Sequence, residues 1–220
     1  MEIVEAIKAR KSIRAFLPQP VPKQVLEEIL ELAARSPSWA NTQPWEVTVI
    51  GGKVMEQVKE ALVQAAMSGA SPNPELPYPV FGELYVSRSR DVGRRLYEAL
   101  GISREDREKR LEWAVQAPKF FDAPNGFIFY LDEELGPWSL LDLGLFSQSI
   151  MLAAVNFGLG TCSLAAAVAQ PQVLREILDV PEKKKIIYGM AIGYPDWQHP
   201  VNKVETQREP TASFARWCGF

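Results

Sequence analysis

Apolar residues recur along the chain with two periods, and the switches between them set out the elements. Ile3, Ala6 and Ile7 stand at helical spacing in a short helix over residues 2–10. Pro20 and Pro22 punctuate the next loop, Pro22 where a first-turn proline is tolerated. Val25, Leu26, Ile29, Leu30 and Ala33 then lay an apolar stripe along a helix of about three or four turns. Glu46 to Ile50 reads as a strand closed by Gly51-Gly52, and residues 53–68 return to helix.

Residues 69–82 break every period, with Gly69, Pro72, Pro74, Pro77, Pro79 and Gly82. A stretch of this kind inside a compact domain is functional or disordered. Two basic helices are expected over 91–101 and 103–117, with Ser103 as N-cap of the second. Gly126 to Leu131 is a strand. Residues 137–157 form the most apolar helix, with apolar residues over most of its circumference, so it is expected to be buried in the core or between subunits. Gly158 is a natural helix stop. Thr161 to Ala166 is extended, Pro171 to Leu178 helical, and Ile186 to Tyr194 a strand ended by Pro195. There is no internal repeat, and the irregular order of strands and helices suggests one central sheet flanked by helices.

Composition adds mainly exclusions. A chain of 220 residues can bury a substantial core as one domain. Hydrophobic content of 47% and charged content of 23% are ordinary for a globular protein. A net charge of −3 argues against nucleic acid as partner. No uninterrupted apolar run is long enough to imply a membrane span, and the acidic, helix-like N-terminus does not resemble a signal peptide. Only Cys162 and Cys218 are cysteines, which fits a reduced, cytoplasmic protein. The single histidine, His199, reads as a surface residue and shares no ligand spacing with the cysteines, so no metal site is expected. An enzyme so poor in side-chain catalysts borrows its chemistry from a cofactor.

Two segments point to that cofactor. Arg10, Lys11, Ser12 and Arg14 place three cations and a hydroxyl within five residues, a composition suited to a phosphate-bearing ligand. Pro37-Ser38-Trp39-Ala40-Asn41-Thr42-Gln43-Pro44-Trp45 is a polar, proline-bracketed turn leading into the first strand. Gly158-Leu159-Gly160 follows a helix rather than a strand, so it is no dinucleotide fingerprint. With Gly158 to Cys162, Ile192-Gly193-Tyr194-Pro195 and Thr206 to Pro210, these segments resemble the nitroreductase family over essentially the whole chain.

The resemblance implies an α+β fold, a mixed sheet flanked by helices, in an obligate homodimer with FMN at the interface. It makes residues 1–220 a single domain. Residues 69–90 would be a variable insertion on the substrate side, and 196–220 a C-terminal extension packing on the partner subunit. Phe214, Trp217 and Phe220 would supply that extension's aromatic contacts, with docking on the same subunit as the alternative. Arg10, Lys11, Ser12 and Arg208 would hold the FMN phosphate and ribityl chain. Arg14 would be the catalytic cation, facing the charge that develops on the reduced flavin. Pro37, Ser38, Trp39 and Asn41 would line the flavin from the other subunit, with Trp45 in the core. Ser163, Leu164 and Ala165 fall where the family donates a backbone N–H to flavin N5. Tyr85 and Arg88 would help select an aromatic or anionic substrate, or else form an exposed helix start. Arg94, Arg95, Arg104, Arg107 and Arg110 alternate with acids, as on a solvated helix face.

The function so implied is an NADH- or NADPH-dependent FMN oxidoreductase. It would pass hydride to a nitroaromatic or quinone in a ping-pong cycle. The alternatives are a same-fold reductive dehalogenase or flavin-cleaving enzyme, a non-catalytic FMN storage or redox-sensing protein, and a helical interaction protein without cofactor.

Overall fold

The structure, a computed structural model, describes residues 1–220. Its sheet has the strands β1 (Glu46–Gly51), β2 (Asn125–Asp132), β3 (Gly160–Leu164) and β4 (Lys184–Gly193). Their order is β1-β2-β4-β3, and every neighbouring pair is antiparallel. A single parallel bridge, Ser12 with Thr161, runs along the outer edge of β3 and gives the sheet its mixed character. The helices are α1 (Ile3–Ala9), α2 (Lys23–Ala33), α3 (Gly52–Met67), α4 (Glu83–Ala99), α5 (Arg107–Ala114), α6 (Pro137–Asn156) and α7 (Pro171–Leu178). This is the α+β architecture that the resemblance implies.

The pleat of β2 divides the core. Phe127, Phe129 and Leu131 point to the layer of α2 and α6, where they meet Leu26, Ile29, Leu143, Phe146 and Ile150. Ile128 points the other way, to Met55, Val58 and Leu62 of α3 and Leu174 of α7. A bulge sits where Phe129 and Tyr130 face Tyr188 and Ile186, so Ile187 has no partner on β2. Ile187 and Tyr188 therefore both lie on the α2–α6 side.

Several boundaries differ from the sequence expectation. Helix α4 begins at Glu83 rather than 91, capped by Gly82. Pro79 is the last proline before Pro118, so nothing in 83–90 resists a helix. Helix α5 is shorter than 103–117, and its N-cap is Asp106, whose carboxylate accepts the Lys109 N–H at 3.2 Å; Ser103 lies outside it. Gly158 ends α6 with φ +72°, as its position predicted.

Helix α6 is not buried all round within one chain. Leu143, Phe146 and Ile150 are enclosed, but Trp138, Leu141 and Leu145 are 61%, 54% and 39% exposed. By length and mean hydropathy α6 alone could cross a bilayer, which no apolar run in the sequence had suggested. It packs instead against α2, with Asp142 and Ser147 buried in it. The rings of Phe214, Trp217 and Phe220 also stand exposed at the C-terminus.

Candidate active site

The segment after α1 is held against the free edge of β3. Ile13 is buried, and its N–H donates to Thr161 O at 2.9 Å. This approach needs a glycine opposite. A Cβ at Gly160 would stand 2.3 Å from Ile13 Cγ1 and 2.9 Å from Pro195 Cγ. Asn202, fully buried, clamps the next turn: its Oδ1 accepts the Arg14 N–H at 2.8 Å, and its Nδ2 donates to Ala15 O and Asp196 O. Nothing in the sequence singled out Asn202, which lies in a polar tail without periodicity.

Arg10, Lys11, Ser12 and Arg14 are thereby fixed on one rim, all half-buried. None of the three cations has a carboxylate partner in the chain. The Arg14 guanidinium donates only to Ser12 O, at 3.3 Å. Burial pushes the nearby Cys162 thiol up, against the opposing pull of the Arg14 charge and the Ser12 hydroxyl. Cys162 is thus a protonated core residue rather than a nucleophile.

At the far end of β3, Ser163 and Ala165 are exposed and Leu164 is buried. Ala165 lies past the last ladder pair, and its N–H has no acceptor in the chain. These residues wall a cavity of about 410 Å³ closed by Leu76 to Pro79 on one side and by Ser147, Ile187 and Tyr188 on another. The Tyr78 hydroxyl reaches Ala165 O at 3.4 Å. Tyr188 points its hydroxyl inward without a hydrogen-bond partner, and burial pushes it up to about 12. The cavity lining carries no charge.

The second segment lies elsewhere, on α6. Ser36 Oγ is 2.7 Å from Ser149 Oγ, and the Ser38 hydroxyl accepts the Gln43 N–H at 2.9 Å. Ala40, Asn41 and Gln43 all have positive φ, a conformation that side chains other than glycine adopt at a cost. Pro37, Trp39 and Asn41 are exposed and Ser38 half-buried, next to the uncovered flank of α6. Trp39 packs on Trp138 at 5.1 Å. Trp45 stacks on Phe146 at 4.8 Å against the core.

Tyr85 and Arg88 stand apart again. With Leu84, Arg208, Glu209, Ser213 and Phe214 they line a separate cavity of about 580 Å³. Arg88 pairs with Glu209 at 3.1 Å, which ties the tail to α4 of the same chain. Arg208 donates to Thr206 Oγ1 at 2.7 Å and to backbone oxygens of Thr206 and Gln207. Within one chain nothing joins Arg208 to Arg10 or Ser12. Arg94 and Arg95 bind Asp91, with Glu98 adding to Arg94, in the solvated face that their alternation predicted. His199 is half-buried and structural: its Nδ1 accepts the Val201 N–H.

The donors on the rim suit FMN by their chemistry. Three unpartnered cations and a hydroxyl match a phosphate and ribityl chain, and the free Ala165 N–H suits a ring nitrogen. A sheet edge so furnished, beside an uncharged cavity, defines a protein that holds a phosphate-bearing aromatic cofactor. Comparison with known proteins agrees. The model of the Nitroreductase family matches residues 7–194. Nitrobenzene nitroreductase of Ectopseudomonas oleovorans is 37% identical over 216 residues, 96% of this chain and 95% of that protein. The crystal structure of the FMN and NADPH-dependent nitroreductase NfnB from sphigopyxis sp. strain HMH superposes with a TM-score of 0.96 at 32% identity, with all of both chains covered. That of the FMN-dependent nitroreductase NfnB from Mycobacterium smegmatis, in complex with NADPH, gives 0.93 at 31% identity over 98% of each chain. The chain belongs to the nitroreductase family.

Proposed function

We propose that this protein is an FMN-dependent oxidoreductase that takes hydride from NADH or NADPH and reduces a nitroaromatic acceptor. The observation that carries the reading is the cluster of unpartnered Arg10, Lys11, Ser12 and Arg14 on the rim of β3. A phosphate would satisfy Arg10, Lys11 and Ser12 with charge-assisted hydrogen bonds. Arg14, held through its backbone by Asn202, presents a fixed positive charge to the ring end of the ligand. Such a charge lowers the barrier wherever negative charge accumulates during the reaction. The Ala165 N–H orients the ring edge. Bound FMN would supply the two-electron hydride chemistry that no side chain here can perform. The cavity lining offers no carboxylic acid, histidine or lysine, so solvent delivers the protons.

The scattered placement of the site residues supports a homodimer. Pro37 to Asn41 and the exposed side of α6 form one continuous surface, suited to a second copy that brings this segment to the partner's flavin. In the same reading the C-terminal extension carries Arg208 to a phosphate site, and residues 69–90 shape the acceptor side. The use of NAD(P)H and the two unpaired cysteines suit a cytoplasmic setting.

The visible absorption spectrum of the purified protein, before and after anaerobic NADH and NADPH, tests the reading. A yellow protein bleached by either nucleotide and reoxidised by nitrobenzene is expected. A yellow protein that neither nucleotide reduces would point to storage or sensing. A colourless protein that takes up no FMN would overturn the proposal.

A further inference from the structure

Residues 69–82 contain neither helix nor strand, yet they are tightly attached. Strand β3 pairs only with residues 189–193 of β4, so the edge of β4 before Gly189 lacks a strand neighbour on that side. An unpaired edge amide near the core needs an acceptor. Glu75 provides it: one carboxylate oxygen accepts the Ile186 N–H and the other accepts from the Arg175 guanidinium. Arg175 is only 7% exposed, and it also donates to the carbonyls of Pro181 at 2.7 Å and Lys184 at 2.6 Å. Upstream, the Asn73 N–H donates to Ala169 O at 2.8 Å and Gln170 Nε2 to Ser71 O at 2.9 Å. Downstream, the chain passes directly to Leu76, Pro77, Tyr78 and Pro79, one wall of the cavity beside Ala165. Pro74, Pro77 and Pro79 restrict the backbone on both sides of Glu75, so its anchorage carries over to that wall.

We propose that Glu75 is a positioning residue that, through Arg175 and the β4 edge, holds Leu76 to Pro79 as the wall of a site for an uncharged aromatic acceptor. The proposal rests on the flavoenzyme reading above. The acceptor class follows from the lining: apolar side chains with the hydroxyl-bearing Tyr78, Ser147 and Ser163, and no cation to receive a carboxylate. Desolvating an anion there without a partner is unfavourable. Tyr85 and Arg88, expected from the sequence to help select the substrate, line a different cavity.

Two readouts on the flavin-loaded protein test this. In Glu75→Ala, amide hydrogen exchange at Asn73 and Ile186, whose N–H groups are bonded in this anchor, is expected to quicken by about tenfold or more, with β2 and α6 unchanged, because a charge-assisted anchor is lost locally. The ratio of kcat/KM for nitrobenzene over 4-nitrobenzoate is expected to favour nitrobenzene in the parent protein and to fall by about tenfold in the variant, as the wall opens to water. A loss of stability alone would lower both kcat/KM values together and leave the ratio fixed. Should Glu75→Ala not fold, Glu75→Gln keeps a carbonyl for the Ile186 N–H and loses the charge facing Arg175; the ratio is then expected to fall several-fold. Unchanged exchange in Glu75→Ala, an unchanged ratio in a folded variant, or a parent that prefers 4-nitrobenzoate would each overturn the proposal. A protein that binds no FMN or reduces neither compound would instead refute the underlying function, while the exchange experiment still reads the anchor.

Discussion

Asp142 accepts the backbone N–H of Trp39 on both carboxylate oxygens, each at 3.2 Å. The two residues are 103 positions apart, and Asp142 is 5% exposed inside the most apolar helix of the chain. This contact seats the strained turn at Ala40–Gln43 on α6. Asp142→Ala removes the acceptor and leaves a backbone donor unsatisfied, at a cost of about 1.5–3 kcal/mol. A lower thermal midpoint is expected, with loss of retained flavin on gel filtration, since the turn is proposed to serve the partner's site. A variant with full flavin content would show that the turn holds no cofactor.

Arg10→Ala is expected to weaken FMN binding by tenfold or more, the effect of losing a charge-assisted phosphate contact. Adding Arg208→Ala should abolish retention. Fluorescence titration of the apoprotein with FMN measures both. If Arg208→Ala alone changes nothing, the tail does not reach the phosphate in the assembled protein.

Gly160→Ala tests how the rim is built. Its new Cβ would stand 2.3 Å from the buried Ile13 side chain and 2.9 Å from the Pro195 ring, neither of which is the far end of a flexible side chain. Overpacking of this kind costs about 1–3 kcal/mol. The displaced segment carries Ser12 and Arg14, so FMN affinity should fall along with the denaturant midpoint. Unchanged affinity would mean that Ser12 and Arg14 can shift away from β3 without loss.

Tyr188 gives a signature at alkaline pH. Burial raises its folded-state pKa from 10.0 to about 12. Its neutral form is favoured in the folded protein, so the associated stability is present below pH 10 and lost as pH rises towards 12. A shift of that size corresponds to about 2–3 kcal/mol over the interval. Tyr188→Phe should flatten this part of the urea-midpoint profile. At pH 7 it should cost little, because the hydroxyl makes no hydrogen bond of good geometry and Ser147 Oγ, the hydroxyl that opposes its shift, donates to Gly144 O. A parallel decline in parent and variant between pH 10 and 12 would contradict this account.

Arg14→Gln keeps a hydrogen-bonding side chain and removes the charge. The flavin should then be harder to reduce, and the NAD(P)H reduction rate should drop by about ten- to a hundredfold, in line with the loss of one preorganised electrostatic contact. Stopped-flow reduction under anaerobic conditions reads this directly. A rate unchanged from the parent would remove Arg14 from the catalytic role.

The sequence by itself determined the elements, because helical and strand periods are local and prolines and glycines mark their ends. Helix α7 falls at Pro171–Leu178 as expected, and strands β1, β2 and β4 lie within two residues of their predicted bounds. It also determined the segments rich in ligand-type donors, since Arg10, Ser12 and Arg14 differ in kind from loop filler. Only the tertiary structure decided what those segments touch. Asn202 reaches Arg14 across 188 positions and Glu75 reaches Arg175 across 100, and contacts so distant leave no periodic trace. The bulge that turns Tyr188 into the cavity depends on pairing with β2 and is invisible in β4 alone. The separation of Arg208 from Arg10, and the bare flank of α6, follow from how whole elements pack, which no single segment of sequence encodes.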